Sequence, residues 1–392
     1  MQGVRTGDTV ARLGGDEFVL LMLDIENRDE IKLIIQRIIH KISLPIEVSS
    51  AVISVSASIG VTLYPEDKNA ADTLLRHADQ AMYQAKQTGK NCFTFFDPKH
   101  EQEQTKIQSI YREIEIAITE NQFQLYYQPK INMRTGEIIG VEALIRWQHP
   151  IRGFLAPKDF LPMIENHPLI VKLGDWVLHE TLTQLQLWKT QDITLDASVN
   201  IAALQLQQIN FIAKLKSLLN NYPDISASQL ELEILETAAI EDLQLVNNRL
   251  KECKQLGINV AIDDFGTGYS SLTYLKYLSA QTIKIDQSFV RDILLDQNDM
   301  AIVEGILQLA KAFNRIALAE GVETDKHGSL LLMIGCELGQ GYAIARPMPA
   351  KEIPNWINTY KIPAEWQHIE HVKLANTDVS LCVLAVEHYR FV

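Results

Sequence analysis

Residues 243–264 read LQLVNNRLKECKQLGINVAIDD and contain the repeating unit from which the fold is predicted. The first part, Leu243–Leu256, is amphipathic with the spacing of a helix. The second part, Asn259–Asp264, is a short apolar β segment that ends on the adjacent carboxylates Asp263 and Asp264. The stretch therefore predicts a helix followed by a buried strand with acidic residues at its carboxyl end.

The same alternation of strands and helices extends from Phe123 to the region of Tyr342. Further amphipathic stretches are Leu169–Lys189, Leu204–Asn220 and Met300–Asn314. The predicted β segments end at Pro129, near Trp147, at Asn200, Leu235, Asp264, Asp286 and Glu320, and near Tyr342. Eight strands with helical crossovers are typical of a (β/α)8 TIM-like barrel, which takes about 250 residues. A doubly wound open α/β sheet is the alternative that this pattern leaves open.

The residues before the barrel predict a smaller α/β domain. β segments at Phe18–Leu23, Val52–Leu63 and Cys92–Phe96 alternate with helical patterns at Asp29–Lys41 and Ala71–Lys86. The expected organisation is a partial α/β domain at 1–98, a connecting helix at 99–119, the barrel at 120–360, and a tail of unknown role at 361–392.

Composition excludes several classes of protein. The 392 residues are 47% hydrophobic and 22% charged, which is typical of a globular chain of two or three domains. The net charge of −13 disfavours binding to nucleic acid or to an anionic membrane surface. The four cysteines lack metal or disulfide spacing, and no apolar run reaches the roughly 20 residues that span a bilayer. We expect a cytoplasmic protein without membrane contact in this chain, and leave open a membrane-tethered parent.

Polar residues recur at the ends of six consecutive predicted strands. They are Glu142, Asn200, the acidic residues of 231–236, Asp263 with Asp264, Lys284 with Asp286, and Glu320 with Glu323. In a barrel these ends converge on one face, where crowded carboxylates need cations to remain ionised. Oxygen ligands without Cys or His suit Mg²⁺ or Mn²⁺, and two such ions serve in-line displacement at phosphorus. The pattern predicts metal-assisted phosphate-ester chemistry, whereas a single acidic strand end would merely be solvated.

The segment Glu142-Ala143-Leu144 within Val141–Trp147 resembles the signature of the EAL family, the cyclic di-GMP phosphodiesterases. The match covers roughly Lys106 to Ile357. It extends through residues 263–272 (DDFGTGYSSL), 284–286 (KID), 319–323 (AEGVE) and 340–342 (QGY). The resemblance implies hydrolysis of cyclic di-GMP to linear pGpG. It also implies a homodimer formed through the barrel near the loop after Asp264.

The resemblance implies a role for each matching residue. It implies a first Mg²⁺ or Mn²⁺ ion held by Glu142, Asn200, Glu233 and Asp263, and a second at Asp263 and Asp264 with Glu320 as ligand or general base. Lys284 would orient the attacking water, or, alternatively, form a salt bridge with Asp286 or a neighbouring acid. Glu236 and Glu323 would hold the loop after Asp264, and Gln340 would close the site. Arg146 would reach the substrate phosphate, with a surface pair to Glu137 or Asp159 as the alternative.

Residues 12–18 (RLGGDEF) resemble the GGDEF signature of diguanylate cyclases. Arg5 and Asp8 match that family's inhibitory site for cyclic di-GMP, and Asp16 and Glu17 would lie on a hairpin turn between Leu13 and Val19. The first strand, two helices and an acidic metal-binding stretch of that family are missing. We therefore expect a truncated domain with vestigial sites and no cyclase activity.

The sequence is compatible with two functions, hydrolysis of cyclic di-GMP and its binding without hydrolysis. Receptors that bind cyclic di-GMP without hydrolysing it usually lack the metal carboxylates or the loop glycines. This chain has both, so hydrolysis is the favoured prediction and a non-catalytic receptor is the alternative.

Overall fold

The computed structural model describes residues 7–25, 27–48, 51–237, 243–267, 278–367 and 369. The chain divides into two compact units, with the border between Gln108 and Ser109. The domain boundaries expected from the sequence remain predictions. Among the helices in these ranges, none is both long and apolar enough to cross a membrane.

The first unit is built from short strands and two amphipathic helices. In chain order these are β1 (Thr9–Gly14), β2 (Glu17–Leu21), α1 (Arg28–Ile42), β3 (Ile46–Val48), β4 (Ala51–Ile53), β5 (Ile59–Val61), α2 (Ala71–Thr88) and β6 (Phe93–Phe95). Strands β1 and β2 form an antiparallel hairpin, as the sequence predicts. The single β segment predicted for Val52–Leu63 is wrong, because β4 pairs with β3 whereas β5 pairs with β6.

A helix crosses the border between the units. Helix α3 (Pro98–Thr119) buries Ile110 and Ile114 in the hydrophobic core of the second unit. Over its last turns this helix is therefore part of the packing of the barrel.

Eight strands of the second unit close into a barrel. The described part of this unit contains ten strands: β7 (Phe123–Asn132), β8 (Ile138–His149), β9 (Gly153–Leu155), β10 (Ala197–Asn200), β11 (Leu230–Leu235), β12 (Asn259–Phe265), β13 (Thr282–Ile285), β14 (Ile316–Ala319), β15 (Leu338–Gly339) and β16 (Met348–Pro349). The ring runs β7, β8, β10, β11, β12, β13, β14 and β15, and β15 pairs back with β7. Closure confirms the predicted barrel and excludes the open sheet. Strands β9 and β16 extend β8 and β7.

The first barrel strand differs from the predicted pattern. Strand β7 is antiparallel to both neighbours, and it joins β8 through a short turn instead of a helix. The Asn132 side chain accepts hydrogen bonds from the backbone N–H groups of Arg134 and Thr135, and Gly136 adopts a positive φ of 77°. This turn chemistry reverses the chain within five residues, too few for a crossover helix.

Helices surround the barrel and bury one face against it. They are α4 (Leu161–Ile164), α5 (Leu169–Lys189), α6 (Ala203–Leu206), α7 (Phe211–Asn220), α8 (Leu243–Gln255), α9 (Gln287–Asp292), α10 (Gln297–Ala312), α11 (Asp325–Ile334) and α12 (Ile353–Thr359). Buried side chains such as Leu182, Leu250 and Val303 share one hydrophobic core with strand residues such as Leu232. Because strand side chains alternate, the residues on either side of Leu232 face the barrel interior.

The start of the tail predicted at 361–392 belongs to the core of the second unit. Trp366 is fully buried, and its Nε1 donates a hydrogen bond to the carbonyl oxygen of Asp325 at 2.7 Å. The ring lies so close to Gly328 that a Cβ there would be 2.3 Å from it. Trp366 is thus part of the core of the second unit, whereas residues 368 and 370–392 lie outside the described residues.

We expect Trp366→Ala to lower the free energy of unfolding of the barrel by about 3–5 kcal/mol, because it removes a large buried side chain and leaves a cavity. Urea denaturation followed by far-UV circular dichroism measures this loss. Glu365→Ala is the matched control on the exposed side of the same segment, with an expected change within about 0.5 kcal/mol. Equal midpoints for Trp366→Ala and the wild type would contradict the assignment of this segment to the core.

Candidate active site

The carboxyl ends of the parallel strands surround a buried ammonium group. The side chain of Lys284 on β13 is 1% exposed. Its Nζ lies 2.6 Å from Glu233 Oε2, 2.7 Å from Glu320 Oε1 and 3.0 Å from Asp263 Oδ1. Glu142 Oε2 on β8 is 3.6 Å away. Side chains from β8, β11, β12 and β13 and from the residue after β14 therefore meet at one point.

Amide side chains orient Glu142. Asn200 Nδ2 donates to Glu142 Oε1 at 2.7 Å, and Gln340 Nε2 donates to Glu142 Oε2 at 2.7 Å. Gln340 Nε2 also donates to Gln128 Oε1 at 3.0 Å, and Gln128 in turn donates to the carbonyl oxygen of Ala345. Both oxygens of Glu142 are thus fixed by neutral donors that hold the carboxylate without neutralising it.

The adjacent carboxylates Asp263 and Asp264 lie at an irregularity in the sheet. The register between β12 and β13 shifts between Ile262 and Phe265, and Asp264 adopts a positive φ of 52°. Such a bulge turns two successive side chains toward the same region instead of opposite faces. Consequently, carboxylate oxygens of Asp263, Asp264 and Glu320 lie within 4.8 Å of one another, a spacing that can hold a metal ion.

Burial and crowding shift the pKa values of these groups. Burial is the main cause that raises the pKa of Glu233 and Asp263 above the ordinary range, and that raises the pKa of Glu320 far above it. Burial, the charge of Asp263 and contact with Asp286 raise the pKa of Asp264 to about 7. Burial alone would lower the pKa of Lys284, but the surrounding carboxylates hold it well above its ordinary value. The cluster therefore favours additional cations or protons.

The loop after Asp264 is held at its start. The backbone N–H of Gly266 donates to Glu236 Oε2 at 2.9 Å, and Glu236 is buried. Gly266 has a φ of 104°, and a Cβ there would lie 2.9 Å from the ring of Phe289. Glu323 is exposed and acts electrostatically on Arg291 and His327. Residues 268–277, which include the rest of this loop, lie outside the described residues.

Arg146 lies half-buried on β8. Its guanidinium carbon is 5.5 Å from the centroid of the Tyr126 ring, and its Nη1 donates to the carbonyl oxygen of Ile145. Burial lowers its pKa, whereas the nearby Glu142 acts to raise it. Asp159 instead accepts a hydrogen bond from the Ala156 backbone, and within the described ranges Arg146 forms no ion pair with Glu137 or Asp159.

Sequence reasoning missed a second polar layer inside the barrel. Lys130 on β7 contacts Glu231 on β11, and Ser198 and Thr282 donate hydrogen bonds to the same carboxylate. Gln128 was missed as well. The available signal was the two-residue spacing of Gln128 and Lys130 in a strand otherwise rich in buried apolar residues, which places both on the interior face.

The four residues expected to form vestigial sites lie in or before the first hairpin. Asp16 is in the turn between β1 and β2 and Glu17 begins β2; both are exposed. Asp8 lies just before β1, and Arg5 is outside the described residues.

The cluster carries an excess of negative charge. It contains the carboxylates of Glu142, Glu233, Asp263, Asp264 and Glu320. Lys284 neutralises only one of these five carboxylates, and the buried Asp286 contacts Asp264 as well, so bound divalent cations would offset the remaining negative charge. One oxygen of Glu233, Oε1, is buried without a hydrogen-bond partner. This donor set of carboxylate and amide oxygens fits Mg²⁺ or Mn²⁺.

Comparison with known proteins identifies the family. Residues 111–347 match the model of the EAL domain. The chain belongs to the EAL family. Residues 1–92 match the model described as "Diguanylate cyclase, GGDEF domain", in keeping with the α/β domain predicted before the EAL barrel.

Two curated relatives and two solved structures show how far the likeness extends. The bifunctional diguanylate cyclase/cyclic di-GMP phosphodiesterase MucR of Pseudomonas aeruginosa is 39% identical over 89% of this chain and 51% of its own length. The cyclic di-GMP phosphodiesterase PdeR of Escherichia coli is 36% identical over 90% of this chain and 53% of its own. The chain thus spans about half the length of these relatives.

The EAL barrel resembles a structure of the PaMucR phosphodiesterase in complex with c-di-GMP. The TM-score is 0.60 and the identity 38%, covering 62% of this chain and 99% of that one. A structure of the EAL enzyme Bd1971 with cAMP and cyclic-di-GMP bound has a TM-score of 0.63 and 29% identity. The match covers 74% of this chain and 77% of that one.

In EDTA, which removes divalent cations, we expect the free energy of unfolding of the wild type to fall as the pH rises. We expect a smaller fall in Asp264→Asn. Because the pKa of Asp264 is raised to about 7, the folded state keeps a proton that the unfolded state releases from about pH 4 upward. The wild-type free energy of unfolding should therefore fall between about pH 4 and pH 7. The variant lacks this contribution, and Asn tolerates the positive φ.

Urea denaturation in EDTA at several pH values measures the effect. Asp192→Asn is a matched control, because Asp192 also has a positive φ of 60° and is exposed. It should keep the wild-type pH dependence. Identical pH dependence for Asp264→Asn and the wild type would contradict the proposed crowding of Asp264.

Proposed function

We propose that the EAL barrel of this chain hydrolyses cyclic di-GMP to linear pGpG. The observation that carries the proposal is the carboxylate cluster around Lys284, to which Glu142, Glu233, Asp263 and Glu320 each contribute an oxygen within 3.6 Å of its Nζ. The likeness to phosphodiesterases over the whole barrel supports the choice of substrate.

Two divalent cations, Mg²⁺ or Mn²⁺, are part of this proposal. Glu142, Asn200, Glu233 and Asp263 would hold the first ion, and Asp263, Asp264 and Glu320 the second. Ions bound there would offset the charge of the phosphate and would lower the pKa of a bound water. Oxygens of Asp263, Asp264 and Glu320 lie within 4.8 Å of one another, which supports the second group, and Asp263 would belong to both.

The residues of the chain supply positioning and proton transfer. In the proposed reaction the oxygen of a water attacks phosphorus, the bond to the 3′ oxygen breaks, and the product has a 5′ phosphate and a 3′ hydroxyl. Lys284 would donate a hydrogen bond to the attacking water. Glu320, only 17% exposed and next to Lys284, would accept its proton if it acts as the general base.

The remaining residues would shape the site around the substrate. Arg146 would contact a substrate phosphate, and its ring contact with Tyr126 supports a fixed orientation for the guanidinium. Gln340 would close the site through its hydrogen bond to Glu142. Glu236 would hold the loop through Gly266, and we also propose a supporting role for Glu323 from its family match.

The proposal extends to partners and surroundings. The substrate is the expected ligand, a homodimer would form through the barrel near the loop after Asp264, and the chain would act in the cytoplasm. No role in hydrolysis is assigned to Arg5, Asp8, Asp16 or Glu17.

We expect purified protein with Mn²⁺ to convert cyclic di-GMP to pGpG, and EDTA to abolish the conversion. Glu142→Ala should lower turnover by more than about 100-fold. Removal of a residue that only supports a metal ligand typically lowers metal affinity or activity about 10- to 100-fold, and removal of the ligand itself should lower activity further. Chromatographic separation of substrate and product measures both.

Asp16→Ala is the control, with turnover close to that of the wild type because Asp16 lies in the exposed hairpin of the first unit. Metal-independent turnover, or unchanged activity of Glu142→Ala, would refute the site assignment. Tight binding of cyclic di-GMP without product would instead identify a receptor.

A further inference from the structure

The second polar layer lies directly beneath the proposed metal site. Ser198, Glu231 and Thr282 each precede by two residues the site positions Asn200, Glu233 and Lys284 on their strands. Strand side chains alternate, so each pair points to the same interior face at successive levels. Strand β7 runs in the opposite direction, and it therefore contributes Gln128 to the upper level and Lys130 to the lower one.

Lys130 joins the two levels. Its side chain is 6% exposed, and its Nζ lies 2.8 Å from Glu231 Oε2 and 3.6 Å from Glu233 Oε1. Glu233 is fully buried, and its other oxygen, Oε2, is 2.6 Å from Lys284 Nζ. The Glu233 carboxylate therefore lies between two ammonium groups, with Lys284 on the side of the site and Lys130 on the side away from it.

The contact with Lys130 leaves one oxygen of Glu233 available. At 3.6 Å, Lys130 is too distant for a hydrogen bond to Oε1, and this oxygen has no hydrogen-bond partner in the structure. The positive charge still attracts the carboxylate and opposes its rotation, because the interaction takes place in a low-dielectric interior. The position of Glu233 is thus constrained without loss of its capacity to bind a cation.

We propose that Lys130 is a positioning residue that fixes the Glu233 carboxylate from below and thereby sets the affinity of the barrel for divalent cations. The inference rests on the proposed function for the identity of the metal site. Glu231 neutralises the positive charge of Lys130, which would otherwise repel cations bound at the site above it. Ser198 and Thr282 hold Glu231 in turn, through hydrogen bonds of 2.6 Å and 2.9 Å.

The test replaces the ion pair by a neutral pair of similar size. Lys130→Met alone would leave Glu231 buried without a cation, and such variants often fail to fold. The double variant Lys130→Met/Glu231→Gln changes no net charge, so its effect on cation binding reports the lost positioning of Glu233. Thr282→Val is the matched control: it removes one hydrogen bond from the same layer but keeps the contact between Lys130 and Glu233.

Mn²⁺ affinity is measured by electron paramagnetic resonance of the free ion, and KM for cyclic di-GMP is measured at saturating Mn²⁺. We expect the double variant to bind Mn²⁺ about 10- to 100-fold more weakly, with KM for cyclic di-GMP unchanged. Thr282→Val should remain within about twofold of the wild type in Mn²⁺ affinity, because the Lys130–Glu233 contact persists.

Mn²⁺ affinity of the folded double variant within twofold of the wild type would overturn the proposal and reduce Lys130 to a counterion for Glu231. An equal loss in Thr282→Val would also overturn it, because the effect would then come from general disturbance of the layer. A wild type that binds Mn²⁺ but does not hydrolyse cyclic di-GMP would refute the proposed function alone, and the affinity comparison would still decide the role of Lys130. A wild type that binds no Mn²⁺ would overturn both.

Discussion

The buried ammonium of Lys284 constrains the barrel more than any other single group. TIM barrels commonly fill their interior with branched apolar side chains. Here the carboxyl end is filled by charges, and a buried charge is tolerated only when it is paired. Because the partners of Lys284 come from four other strands or strand ends, the pairing is satisfied only when the ring is closed in this order.

The same cluster has more negative than positive charge, which suits its proposed role of binding divalent cations. One ammonium group cannot neutralise five carboxylates. Burial raises the pKa of Glu233, Asp263 and Glu320, so their ionised forms are disfavoured unless a further cation is present. A structure selected for stability alone would replace such a cluster by apolar residues of similar volume. The excess negative charge is therefore explained by a function that needs cations, and the amides of Asn200 and Gln340 preserve it by holding Glu142 without neutralising it.

Much of this arrangement can be predicted from the sequence because it depends on local pattern. The strand of Asn259–Phe265 and the acidic pair at its end follow from a short apolar run and its boundary, and the barrel face follows from the direction of parallel strands. Convergence of these ends places the carboxylates together without knowledge of any individual contact.

The features that escaped prediction depend on contacts between distant residues. The reversal of β7 is decided by a turn at Asn132 and Gly136, and only that reversal places Lys130 beside Glu231. Nothing local marks Trp366 as a core residue, because its pocket is formed by Gly328 and the Asp325 carbonyl on a separate helix.

The number of Mn²⁺ ions bound per chain decides whether the carboxylate excess around Lys284 holds two cations, as we propose. Equilibrium dialysis of the wild-type protein against Mn²⁺, followed by elemental analysis, measures this number. We expect two ions per chain in the wild type and fewer in Asp263→Asn, because Asp263 belongs to both proposed ligand groups. A wild-type protein that retains no Mn²⁺, or an unchanged count in Asp263→Asn, would contradict this proposal.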